Sequence, residues 1–152
     1  MKVIASIDDA MSLVGQELGI SGWLQIDQDR IDTFAEATGD QQWIHVDVDR
    51  ANAESPFGAP IAHGFLTLSL IPALSKQCYI VENAKMGINY GLNKVRFIAA
   101  VPVGSHLRVR SELVNANKIE EFVVHLTLRH TVEIEGSDKP AAVAEMIART
   151  VF

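Results

Sequence analysis

From Ala62 to about Lys76 the chain reads as a helix that is apolar on every side. Phe65, Leu66, Leu68, Leu70, Ile71 and Leu74 surround its whole circumference. A helix of that kind belongs inside something. Pro72 withholds one backbone donor and is expected to kink or divide it.

The remainder of the chain has to supply the wrapping. From Gly87 onward the apolar period changes to two. Leu107, Val109 and Leu113 alternate with His106, Arg108, Arg110 and Glu112, and Phe122, Val124, Leu126, Leu128, Val132 and Ile134 continue the pattern. These are half-buried strands. Asn115–Lys118 and Glu135–Asp138 have turn composition. Tyr90–Ala99 is a further strand, and Ala141–Phe152 suits either a helix or a closing strand. Helices first, then antiparallel strands, with one buried helix between them, predict an α+β fold: a sheet with one face wrapped on a central helix.

A chain of 152 residues buries roughly 70% of its unfolded surface, enough for one core but not two. There is no linker, repeat or low-complexity stretch, so residues 1–152 are read as one domain. The net charge of −6 argues against nonspecific nucleic-acid or anionic-membrane binding, which needs clustered positive charge. Cys78 is the only cysteine, which excludes an intramolecular disulfide and a thiolate metal cage. The amino terminus lacks an apolar leader, and no apolar run is long enough to span a bilayer. A soluble cytoplasmic protein is expected.

The first half carries shorter elements. Ser6 and Asp9 have capping-box spacing for a short helix, and Gly22–Ile26 suits a short strand. Asp29–Gly39 reads as a helix capped by Asp29. Ile31, Phe34, Ala35 and Thr38 share one face, and Gly39 is a left-handed stop that turns the chain before Asp40. Asp47 caps a second helix that Ser55-Pro56 ends.

The densest polar cluster, Thr38–Asp47, lies between these two helices in what reads as an irregular segment. Asp40 and His45 would fall on different faces of a regular helix, but a bend can bring them together. A carboxylate and an imidazole flanking one water form an acid/base pair. The plainer alternative is that Asp40 caps the turn and His45 is a satisfied loop histidine. His45, Asp47 and Asp49 also invite a metal. A further nitrogen ligand would have to come from His63, His106, His125 or His130 without supporting spacing, so neither metal nor cofactor is expected.

Gly64 opens the buried helix. There a glycine lets a ligand approach the backbone, and its N–H lies at the positive end of the helix dipole, suited to an oxygen gaining negative charge. It also has a plain packing role open to it, as does His63. His130 has the parity of its strand's apolar face and reads as a core or interface histidine.

Together Phe34-Ala-x-x-Thr38-Gly39-Asp40, Ile44-His45-x-Asp47, Phe57-Gly58 and Ile61-Ala62-His63-Gly64-Phe65-Leu66 resemble the MaoC-like, (R)-specific enoyl-CoA hydratase family. Gln42-Trp43 and the stretch Asn89–Phe97 look closest to its nodulation-protein-N-like branch. The resemblance implies a hot-dog fold, with a long central helix wrapped by a curved antiparallel sheet and a helical overhang segment. It tips Ala141–Phe152 toward strand. It also implies a homodimer with an acyl-CoA thioester substrate, Asp40 and His45 as the catalytic pair, and the Gly64 N–H as oxyanion donor. The implied reaction adds water to a trans-2-enoyl-CoA to give (R)-3-hydroxyacyl-CoA, reversibly, as a hydro-lyase. Where the family often has Asn-Pro before the histidine, this chain has Gln42-Trp43. A hot-dog thioesterase and a non-catalytic acyl-thioester-binding module are the competing readings.

Overall fold

In the computed structural model, which describes residues 1–152, the period-two segments form one antiparallel sheet. The elements in chain order are β1 (Lys2–Ile4), α1 (Ile7–Ser12), β2 (Gln16–Ile20), β3 (Leu24–Gln25), α2 (Gln28–Thr38), α3 (Trp43–Val46) and α4 (Val48–Glu54). They continue with α5 (Gly64–Ser75), β4 (Tyr79–Val81), β5 (Met86–Phe97), β6 (His106–Glu120), β7 (Val123–Ile134) and β8 (Ala142–Val151). The sheet order is β2-β6-β7-β8-β5, with β3 also pairing to β6. β1 and β4 form a separate parallel pair.

Alternation decides which side of the sheet is inside. Leu107, Val109 and Leu113 of β6, Val124, Leu126, Leu128 and Val132 of β7, and Ala142 and Ala144 of β8 are all buried. On the opposite face Arg108 and Arg110 both bind the Glu133 carboxylate, at 2.6 and 3.0 Å, so these arginines are engaged in ion pairs.

α5 buries Leu66, Thr67, Ile71, Leu74 and Ser75 and packs against β6, β7 and β8. Ala142 and Ala144 are part of the same core, and their small side chains let the helix approach. Burying one side chain such as Ile71 contributes roughly 1.5–3 kcal/mol. Pro72 does not divide α5, which runs unbroken through it. The helix starts at Gly64, later than Ala62, because the residues before it are committed to extended pairing. Ile61 bridges Pro102, and the Ala62 N–H donates to the Val101 carbonyl. One flank of α5 is uncovered, with Phe65 68% exposed. No helix is long and apolar enough to cross a membrane.

Other boundaries differ from the sequence reading for local reasons. α2 is capped by Asp27, whose carboxylate accepts from the Arg30 N–H, and Asp29 sits in its first turn. Asn115–Lys118 is not a turn. Those residues lie inside β6, between two bulges, and the chain reverses at Glu121-Phe122. The weakly patterned amino-terminal stretch contains β1 and β2 as well as the short helix that Ser6 caps. Ala142–Val151 is a strand, paired with both β5 and β7.

Gly39 ends α2 at φ 77°, and its N–H donates to the Ala35 carbonyl. Nothing lies near where a Cβ would sit, so a substitution there meets only the left-handed backbone cost of about 1–2 kcal/mol. Gly39→Ala is expected to lower unfolding stability by about that amount in urea titrations; an unchanged midpoint would contradict this account of the turn.

Candidate active site

Three short pieces of chain meet at the site. The first is the end of α2, where Gly39 swings the chain so that Asp40 follows in an exposed loop. The second is α3, a single helical turn where an irregular segment was expected. It buries His45 and leaves Gln42 and Asp47 outside. Gln28 of α2 holds this turn in place, its amide donating to the His45 carbonyl and to the Asp32 carboxylate, both at 2.8 Å. The third piece is Ile61–Gly64, which leads into α5 and is tied to α3 by the Ile61 N–H donating to the Ile44 carbonyl.

Hydrogen bonds set the protonation pattern of both histidines. His45 Nδ1 lies 2.6 Å from the Ile61 carbonyl oxygen. A carbonyl only accepts, so Nδ1–H donates, and Nε2 of the neutral ring keeps its lone pair. His63 Nε2 donates to the Asp40 carbonyl at 3.0 Å, and its buried Nδ1 has no partner. The two imidazoles stack with centroids 3.8 Å apart and planes 25° apart, and Phe34 packs against the other histidine's ring, that of His63, at 5.0 Å. One Asp40 carboxylate oxygen and one ring nitrogen each of His45 and His63 lie within 4.8 Å of one another.

Burial lowers the His45 pKa below the usual imidazole range. The hydrogen bond to the Ile61 carbonyl opposes this, the neighbouring His63 reinforces it, and Asp40 opposes it weakly. The neutral ring is therefore the form that persists. A metal fits this arrangement poorly. A ring nitrogen coordinates in the plane of its ring, and two rings stacked 3.8 Å apart with planes 25° apart do not share a nearby point that lies in both planes.

Gly64 is the first residue of α5, and His63 gives the helix no side-chain cap. The leading N–H groups of a helix have no intrahelical partner and carry its positive end. A Cβ on Gly64 would meet the Phe97 ring at 3.0 Å, so only glycine fits without the ring moving. Gly64 and His45 line one cavity of about 230 Å³, together with Thr67, Phe97, Val101 and Ala141.

The structure thus brings Asp40 beside His45, and places His45 and Gly64 on a common cavity. Asp47 and Asp49 are helix-capping and first-turn residues of α4. The Gln42 side chain makes no hydrogen bond, and Trp43 packs under the Arg50 guanidinium at 4.2 Å. Local sequence could not reveal the part played by His63. Its contacts reach back 23 residues to Asp40, and its only sequence signal was its place beside Gly64.

Over residues 9–134 the chain matches the MaoC like domain family. It is 52% identical over 151 residues to 3-hydroxyacyl-thioester dehydratase Z of Mycobacterium tuberculosis, covering 99% of each chain. It is 47% identical over 148 residues to Nodulation protein N of Rhizobium meliloti, covering 97% of this chain and 92% of that one. The R-hydratase PhaJ1 from Pseudomonas aeruginosa superposes with a TM-score of 0.71 at 25% identity, over 91% of this chain and 81% of that one. A Mycobacterium tuberculosis protein described as having a double hotdog fold superposes with a TM-score of 0.68 at 18% identity, over 98% of this chain and 44% of that one. The chain belongs to the MaoC-like dehydratase family of hydro-lyases, and its fold is the hot-dog fold.

The tautomers can be observed directly. In nitrogen-15 NMR, His45 is expected as the Nδ1–H form and should titrate below 6.5. An Nε2–H tautomer, or titration above that value, would contradict the site as described.

Proposed function

Taking family membership as the premise, we propose that this chain is an (R)-specific enoyl-thioester hydratase. It adds water to a trans-2-enoyl-CoA to give an (R)-3-hydroxyacyl-CoA, and runs the same step backwards as a dehydratase. One observation carries this reading: the exposed Asp40 carboxylate and a ring nitrogen of His45 lie within 4.8 Å, close enough to share one water, and the imidazole shares a cavity with the open end of a buried helix.

In the proposed step the substrate carbonyl oxygen lies at the Gly64 N–H. Water, held by the Asp40 carboxylate and His45 Nε2, attacks C3. Electron density moves through C2 onto the thioester oxygen, where the helix end stabilises the enolate-like charge. The pair takes the proton from the water and returns one proton to C2, so it finishes as it began. Losing one such oxyanion donor typically costs about 3 kcal/mol of barrier, around a hundredfold in rate. His63 acts here as a positioning residue, fixing the Asp40 backbone and the His45 ring without touching substrate.

The working unit is proposed to be a homodimer. β5 is the edge of the sheet, and it leaves Met86, Ile88, Tyr90, Leu92 and Phe97 exposed, with Phe97 beside Phe65 of α5. A long apolar edge of this kind invites pairing with a second strand. Sedimentation should give a dimer mass, and Tyr90→Lys should shift it toward monomer; a monomeric wild type would remove this part of the proposal.

Mixing the protein with trans-2-butenoyl-CoA should bleach the enoyl absorbance without releasing free thiol. Absence of hydration, or thiol release instead, would overturn the reading. Asp40→Asn and His45→Gln are each expected to stay folded and to lose at least about a hundredfold in kcat/KM.

Because His45 must be neutral to accept a proton, kcat/KM should fall as pH drops through its pKa. The lowered value places that limb below 6.5. A midpoint at or above 6.5 would take His45 out of the accepting role.

A further inference from the structure

We propose that a second cavity, between the C-terminal half of α5 and the inner face of the sheet, receives the far part of the acyl chain, and that His130 there hydrogen-bonds a neutral hydroxyl on that chain. This names a substrate class for the hydratase and rests on that reading.

The cavity measures about 390 Å³, and neither His45 nor Gly64 lines it. Ile71, Leu126, Leu128 and Met146 give it apolar walls suited to an alkyl chain. Its position follows from helix geometry. At 3.6 residues per turn Gly64, Ile71 and Ser75 lie within about 40° of one another on α5. Ile71 and Ser75, which line this cavity, sit about 10–17 Å along the axis from Gly64. Thr67, which lines the smaller cavity, is buried on the same side. In the proposal, a chain anchored by its thioester oxygen at Gly64 runs along this stripe into the second cavity.

One feature of the cavity is foreign to a purely alkyl ligand. His130 is only 2% exposed, yet it is polar. It stands opposite Ser111 in the β6–β7 register, and its Nδ1 lies 2.9 Å from the Ser111 hydroxyl. Its Nε2 makes no hydrogen bond within the chain, although the ring lines the cavity. The nitrogen is open to the cavity, so an occupant that pairs with it is favoured over one that only displaces the water there.

The partner's chemistry is restricted. Burial pushes the His130 pKa down to about 4, so near neutral pH the ring is uncharged and does not call for an anion. No carboxylate lines the cavity, and the one cation there, Lys76, is exposed. The Ser111 hydroxyl can donate or accept, which leaves both imidazole tautomers open. A ligand hydroxyl matches either tautomer, whereas a ketone oxygen matches only one. Ser75 and Thr150 add hydroxyls to the same wall.

The test compares kcat/KM for trans-2-decenoyl-CoA, its ω-hydroxy derivative and its ω-carboxy derivative, using the full-length protein. Wild type is expected to favour the hydroxylated chain over the plain one by about tenfold, one hydrogen bond's worth, and to favour it over the carboxylate. His130→Leu should abolish the preference for hydroxyl over plain chain. If that variant does not fold, His130→Phe provides a second one that cannot pair with the hydroxyl, and the wild-type ratio is decisive in either case. A wild-type ratio of one or less, a preference for the carboxylate, or a ratio unchanged in a folded variant would overturn the proposal. Turnover of trans-2-butenoyl-CoA by wild type separates the two failures: if it proceeds while the ratio is one, only the His130 assignment falls. If no enoyl thioester is hydrated, the hydratase reading falls with it.

Discussion

The peptide joining His63 to Gly64 is the point on which the site depends. On one side of it the His63 imidazole stacks on His45 and donates to the Asp40 carbonyl. On the other side α5 begins, with its first N–H groups left uncapped by any side chain. Asp40, His45 and the electropositive helix end are thereby referenced to one short stretch of backbone. The connection between β5 and β6 holds that stretch, through Ala62 donating to the Val101 carbonyl and Ile61 bridging Pro102. Precise placement matters because catalysis of this kind derives most of its advantage from groups already oriented before the reaction begins.

The fold was legible where a physical pattern repeats. The apolar circumference of α5 and the alternation in β6 and β7 extend over ten residues or more, so their periods are unambiguous. Single-residue decisions were harder. Asp27 and Asp29 both suit a cap, and only the carboxylate contact with the Arg30 N–H separates them. Asn115–Lys118 has turn composition, yet its strand is bent by bulges while the real reversal at Glu121-Phe122 contains no turn former. α3 is one turn long and has no period to detect.

The candidate site divides in the same way. Asp40, His45 and Gly64 could be singled out from residue type, from position relative to the flanking helices, and from the resemblance those residues carry. Nothing in the local sequence states that a carbonyl of Ile61 fixes the His45 tautomer, or that His63 spans 23 residues to reach Asp40. His130 is a similar case. Strand parity placed it inside, but its unpaired nitrogen facing a cavity is a property of packing between α5 and four strands.

The central claim is that Asp40 and His45 work from one face around a single water, opposite the helix end. Hydration of a trans-2-enoyl-CoA in deuterium oxide reads this out in the product. Proton NMR should find one deuterium at C2, added to the same face as the hydroxyl at C3, with the (R) configuration at C3. Deuterium on the opposite face, or scrambled between the two, would mean that the proton and the oxygen come from different groups, and the geometry proposed for the pair would be wrong.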